Sequence, residues 1–213
     1  MRYTDFLDSK ENIQRKIKNE WVFTCSCLRC SDPSEFGSNF SSFQCGCGGF
    51  YYQEKADSIK QNWKCSVCLK NVNLADKYAR AENLQQMLEN EDVDKMLHII
   101  GNEGYHKNFY VTTKCYMKYL EKHKSSNDCQ TLNSVVDKAK VLLSTLAMLD
   151  GGGTRLNGKY LMMLLMGQQK LLMIRNKEQK IDDIDLKSAI MEITKGRLQA
   201  AKLMSPFAIN GKY

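Results

Sequence analysis

The sequence predicts a mostly α-helical protein with a small irregular/β module at its N-terminal end. Three observations carry that expectation. Seven of the nine cysteines fall between Cys25 and Cys68, so the first third of the chain is organised by sulfur. From Leu74 onward, apolar residues recur with the 3.6-residue period of amphipathic helices. The loops between these stretches are short, which makes successive helices antiparallel neighbours. The helical part is therefore expected to be a stack of antiparallel hairpins, TPR-like in arrangement, although it holds no exact repeat period.

Arg2 to Leu7 is short and mixed and suits the end of a strand. Asp8 or Ser9 can cap a helix with Glu11 or Asn12 in its first turn. That helix runs to about Asn19 and carries Arg15, Lys16 and Lys18. Trp21-Val22-Phe23 then places two aromatics at strand spacing just before Cys25. Asp32-Pro33-Ser34 is a turn, and Phe36 to Phe43 is irregular. Phe50-Tyr51-Tyr52 reads as a strand, and Asn62-Trp63-Lys64 leads into the last cysteine pair.

Helices are expected over Leu74–Asn90, Asp92–Ile100, Phe109–Lys122, Leu132–Leu149 and Leu156–Ile174, and from Asp182-Asp183 to about Met204. Gly101 to Gly104 is a break, and Gly151-Gly152-Gly153 ends the fourth of these helices. Leu156–Ile174 is apolar almost all round, which marks a central, buried helix. Its methionines read as core filler, with a methionine-rich partner groove as the alternative.

The cysteine spacing points to zinc. Sulfurs one to three residues apart can both face one tetrahedral ion. Cys45, Cys47, Cys65 and Cys68 form two such knuckles, C-x-C and C-x-x-C, as in a zinc ribbon. Gly46, Gly48 and Gly49 let the backbone turn tightly beneath the metal. An interleaved pairing, with Cys45 joining the first cluster, stays open. Cys25, Cys27 and Cys30 supply three sulfurs, one fewer than a closed structural site takes. Cys115, Cys129, a histidine or water are the candidates within the sequence for the fourth place. In domains this small, zinc supplies much of the folding free energy, about 10–16 kcal/mol apparent in finger peptides.

Composition narrows the function classes. The first ten residues have no apolar core of the kind a secretory signal carries, and Tyr160 to Ile174 is interrupted by Gln168, Gln169 and Lys170. Metal-bound cysteines in a reducing compartment, nucleus or cytoplasm, are expected in place of disulfides. A net charge of +7 permits an anionic partner without demanding one. Gly151 to Gly153 lacks the lysine spacing of a phosphate loop. His98, His106 and His123 are isolated.

With these residues placed, Tyr3, the basic helix, W-V-F-T-C-S-C-L-R-C, D-P-S-E-F-G and F-S-S-F-Q-C resemble the end of a SET domain and its post-SET zinc cluster. They look most like the SET-and-MYND (SMYD) lysine methyltransferase family, in its arthropod branch. That branch is similar in an extra ribbon with W-K-C-x-x-C and in a tail motif like L-D-G-G-G-T-R-L-N-G-K-Y-L. The resemblance implies the end of a SET domain over 1–24, the post-SET cluster and ribbon over 25–72, and a helical domain over 73–213. It implies that Tyr3 sits beside the target amine. It also implies that Trp21 and Phe23 line the lysine channel and stack on S-adenosylmethionine. Read from the residues alone, Tyr3 is a packed aromatic, and Trp21 and Phe23 are core aromatics beside the metal.

The family's MYND finger, its Gly-rich cofactor segment and its N-H-x-C motif do not occur in the sequence. In the family, that motif donates the fourth post-SET cysteine. The expectation is therefore a C-terminal part of a larger protein-lysine methyltransferase, inactive alone and monomeric, with S-adenosylmethionine bound only by the full-length protein. The rival is a non-catalytic, zinc-stapled helical scaffold with a protein partner on the helical domain. Nucleic-acid binding ranks third, and no membrane partner is expected.

Overall fold

The computed structural model describes residues 7–53, 63–150, 155–179 and 183–204. Most of the described chain is helical, with one small antiparallel sheet. The chain divides into two compact units, Met1–Cys115 and Tyr116–Tyr213. Among the described residues, no helix is long and apolar enough to cross a membrane.

The first unit opens with α1, Lys10–Trp21. Ser9 caps it, its hydroxyl accepting from the Asn12 N–H. Ile13 and Ile17 form its buried face. The helix runs two residues beyond its expected end, and Val22 closes it in the left-handed region at φ 59°. The strand reading of Trp21-Val22-Phe23 is thus corrected: Trp21 is the last helical residue, and a left-handed Val22 cannot continue as extended chain. A single short turn, α2, covers Leu28–Ser31.

Four short strands follow, in the order β1-β2-β3-β4: Phe43–Gln44, Phe50–Gln53, Trp63–Cys65 and Asn71–Val72. Tyr51 lies opposite both Phe43 and Cys65, and Trp63 lies opposite Val72. Helices α3, Ala75–Asn90, and α4, Val93–Asn102, come next. Asp92 caps α4 through the Asp94 N–H. The expected break at Gly101 falls two residues later, since α4 carries Gly101 and Asn102 and Gly104 takes the positive φ of 68°.

An aromatic cluster joins sheet to helices in this unit. The Phe43 ring lies 4.9 Å from Phe109 and 5.1 Å from Tyr78, and Trp63 lies 5.1 Å from Tyr78. Phe43, Trp63 and Phe109 are buried. Such a cluster holds a sheet too small to be stable on its own face.

The second unit holds the C-terminal part of α5, Tyr110–His123, then α6, Cys129–Asp150, α7, Arg155–Gln179, and α8, Asp183–Met204. Helix α7 packs on both α6 and α8, the hairpin stacking that the short loops predict. Leu132, Val136 and Leu171 make one core between α6 and α7. The α7 helix is less enclosed than its composition suggests, because Met166 and Met173 are exposed. Cys129 is the first residue of α6. The triple glycine, Asp182 and Pro206 lie outside the described residues.

Candidate metal centre

The first knuckle sits in the turn between β1 and β2. The Cys45 N–H donates to the Gly49 carbonyl at 2.7 Å, and the Gly48 N–H donates to the Cys45 carbonyl at 2.9 Å. Gly48 has φ 89°, a conformation only glycine enters freely. Gly49 is small for a second reason. A Cβ there would lie 2.8 Å from Val67 Cγ2 and 2.9 Å from the Cys65 sulfur. The second knuckle turns between β3 and β4, closed by the Cys65 N–H on the Lys70 carbonyl at 3.0 Å.

These two turns bring together all four sulfurs of Cys45, Cys47, Cys65 and Cys68, each within 4.8 Å of the others. Cys45 Sγ lies 3.8 Å from Cys68 Sγ, and Cys47 Sγ lies 3.5 Å from Cys65 Sγ. Four thiolates on a tetrahedral zinc at about 2.3 Å stand about 3.8 Å apart. The donor set fits that ion in number, softness and spacing. The interleaved alternative is not what the chain adopts, because Cys45 keeps company with its own ribbon.

Local groups prepare these sulfurs for a cation. The Cys47 N–H and the Tyr51 hydroxyl hold the Cys45 thiol down at about 6. Burial disfavours the Cys65 thiolate, yet the N–H groups of Val67 and Cys68 outweigh it and lower that thiol as well. The Lys70 N–H favours the Cys68 thiolate, but its neighbours Cys65 and Cys47 push the thiol up to about 11. Thiols this close ionise together only when a cation offsets their charge.

The second group holds Cys25, Cys27 and Cys30, again with all sulfurs within 4.8 Å of one another. Ile13 and Ile17 of α1 pack against Cys30, with Cys25 beside them. Cys27 caps the short turn that carries Cys30. Arg29 lies between them and is anchored from below. Its Nε and Nη2 donate to Glu35 Oε1 at 2.9 and 2.7 Å, and Nη2 also donates to the Asp8 carbonyl at 3.0 Å. Glu35 is fully buried, and its second oxygen accepts the Ser41 N–H at 2.7 Å.

Among the described residues, no fourth histidine, cysteine or carboxylate joins this group. Cys115 is buried elsewhere in the first unit, its thiol 3.8 Å from the Val93 carbonyl. His98 pairs with Asn102, and His106 stacks edge-on against Phe50. Among the described residues, the fold brings together the three sulfurs of Cys25, Cys27 and Cys30.

Tyr3 lies outside the described residues. Trp21 and Phe23 are 53% and 42% exposed, so the reading of both as core aromatics is corrected. Val22 and Leu28 are exposed beside them. Trp21, Val22, Phe23 and Leu28, which flank Cys25 and Cys27 in the sequence, all carry exposed side chains. Among the described residues, Trp21 and Phe23 do not line an enclosed site. Gln14, Arg29, Glu35 and Tyr51 escape a motif search because none is a ligand. Only their contacts mark them.

Fold and site together define a cysteine-stapled module, with two clusters able to hold zinc, followed by helical hairpins. No protein-family model matches the chain. An 87-residue stretch is 29% identical to the SET domain-containing protein SmydA-8, isoform B, of Drosophila melanogaster. The match takes in 37% of this chain and 19% of the fly protein's length. The chain is thus related, weakly, to a SET domain-containing protein.

Proposed function

We propose that this chain is a C-terminal part of a SMYD-type SET-domain protein-lysine methyltransferase of the arthropod branch. One observation carries the reading: among the described residues the Cys25, Cys27 and Cys30 site is one ligand short, and Trp21, Val22, Phe23 and Leu28, which flank it in the sequence, are exposed. A closed structural zinc site takes four ligands, so a further segment of the same protein completes this one. Its apolar residues then cover the exposed surface. The likeness to SmydA-8 supports the assignment.

In the complete protein, a methyl group passes from S-adenosylmethionine to a neutral lysine amine of a histone or another protein. Holding that amine in line is most of the catalytic task. Tyr3, Trp21 and Phe23 take their family roles only there. Isothermal titration should show no S-adenosylmethionine binding by this chain and clear binding by a longer product with the cofactor segment. Tight binding by this chain alone would remove the proposal.

A second reading, a non-catalytic scaffold, has its own support in the second unit. A groove of about 320 Å³ is lined by Met162, Met163 and Met166, with Lys124 and Lys159 at its edge. Residues 116–213 carry 16 Lys or Arg against nine Asp or Glu, which places the whole +7 there. An acidic protein partner suits that groove. Cross-links from a captured partner that map to Met162–Met166 would favour this reading, and cross-links confined to Trp21–Leu28 would count against it.

A further inference from the structure

Zinc-site cysteines are usually placed by the turn they sit in. Cys27 and Cys30 follow that rule, one capping and one inside the same short turn. Cys25 does not. It precedes that turn, in a stretch without regular structure between α1 and α2. What fixes it is a side chain on another element. The Gln14 amide N–H donates to the Cys25 carbonyl at 2.8 Å, and the Cys25 N–H donates to Gln14 Oε1 at 2.9 Å. The two bonds together reproduce the pairing of one strand residue with its neighbour, using a side chain in place of a strand. They leave one orientation of the amide and one position of the Cys25 backbone. The buried face of α1, Ile13 and Ile17, packs against Cys30 and Cys25, so the helix bearing Gln14 is itself fixed relative to the other sulfurs.

We infer that Gln14 is the positioning residue of the three-thiol metal site, setting the Cys25 sulfur against Cys27 and Cys30 before metal arrives. The inference rests on the reading of Cys25, Cys27 and Cys30 as a metal site. Removing a group that orients a ligand lowers metal affinity by a factor of about 10–100. The effect is local, because the ribbon site of Cys45, Cys47, Cys65 and Cys68 has no contact with Gln14 among its hydrogen bonds.

The test is a zinc titration of the full chain against a chromophoric chelator, with the Cys27→Ser variant identifying which of two binding steps belongs to the three-thiol site. Gln14→Met keeps the length of the side chain and removes both hydrogen bonds. It should weaken that step by about 10–100-fold and leave the ribbon step unchanged. Gln14→Glu keeps the acceptor for the Cys25 N–H and should lose less. An unchanged three-thiol step in Gln14→Met overturns the inference, as does an equal loss at both steps, which would mark Gln14 as a general folding residue. A wild-type chain that binds one zinc overturns the metal reading itself and the inference with it. Two zinc ions with an indifferent Gln14 overturn the inference alone.

Discussion

Replacing Glu35 with alanine tests how the first metal cluster is held to the rest of its unit. Glu35 carries a side chain only 1% exposed, and its partner Arg29 is 11% exposed. Three hydrogen bonds end on the two carboxylate oxygens, two from Arg29 and one from the Ser41 N–H. Glu35 also sits at φ 49°, so the loop around it is built to present that carboxylate. Removing it takes the counter-charge from a nearly buried guanidinium, which keeps its bond to the Asp8 carbonyl, and takes the acceptor from the buried Ser41 N–H. Breaking one partner out of a buried pair costs about 3–5 kcal/mol. A domain has only about 5–15 kcal/mol of stability in total, so the loss should be visible at once. Urea unfolding in excess zinc, followed by circular dichroism, measures it. The Arg29→Ala and double variants complete a cycle. Glu35→Ala should lose about 3 kcal/mol or more and the double variant less than the sum. A loss under about 1 kcal/mol with full additivity would refute the claim that this pair ties the Cys27–Cys30 turn to the loop of Glu35 and Ser41.

Gly49→Ala should lower zinc affinity at the ribbon, because the new methyl meets the Cys65 sulfur and Val67; overpacking of this kind costs about 1–3 kcal/mol. A cobalt(II) titration with unchanged affinity would contradict that. Glu11 predicts a pH effect. Burial pushes its carboxyl up to about 7, and its Oε2 is buried without a hydrogen-bond partner. A carboxyl whose folded value exceeds its unfolded one favours folding when protonated, so this contribution is lost as pH rises from about 4.5 to about 7. Glu11→Gln should therefore gain stability over the parent as pH rises through that window, by at most about 3 kcal/mol. A difference that does not vary with pH would reject it. Val22→Asn should stabilise the end of α1 by about 1 kcal/mol, since Val22 is β-branched, exposed and left-handed. A lower melting temperature would count against that strain.

What the sequence displayed was whatever depends on spacing. The knuckles at Cys45–Cys47 and Cys65–Cys68 and the helical faces of Leu84–Leu88 and Val93–Ile100 follow from periods a reader can count. Ser9 announced its helix because a cap is a local hydrogen bond, whereas Asp92, read as the first helical residue, is the cap of α4. The end of α1 was not visible in this way. Tryptophan and phenylalanine flanking Val22 carry a strand preference, and the left-handed cap that overrides it comes from the path the chain takes towards Cys25. Strands β1 and β4 are two residues each and exist only as partners of β2 and β3, so no period could reveal them. Arg29–Glu35 and Gln14–Cys25 span six and eleven residues through irregular chain, where neither helix nor strand geometry dictates an encounter.

Seven sulfurs form two clusters, one with four donors and one with three among the described residues. Zinc K-edge X-ray absorption on the purified chain, with a parallel zinc count, addresses this directly. Two zinc ions per chain with an average of about 3.5 sulfur neighbours and a residual oxygen or nitrogen is the expected result. Four sulfurs around every zinc, or a single zinc per chain, would contradict it.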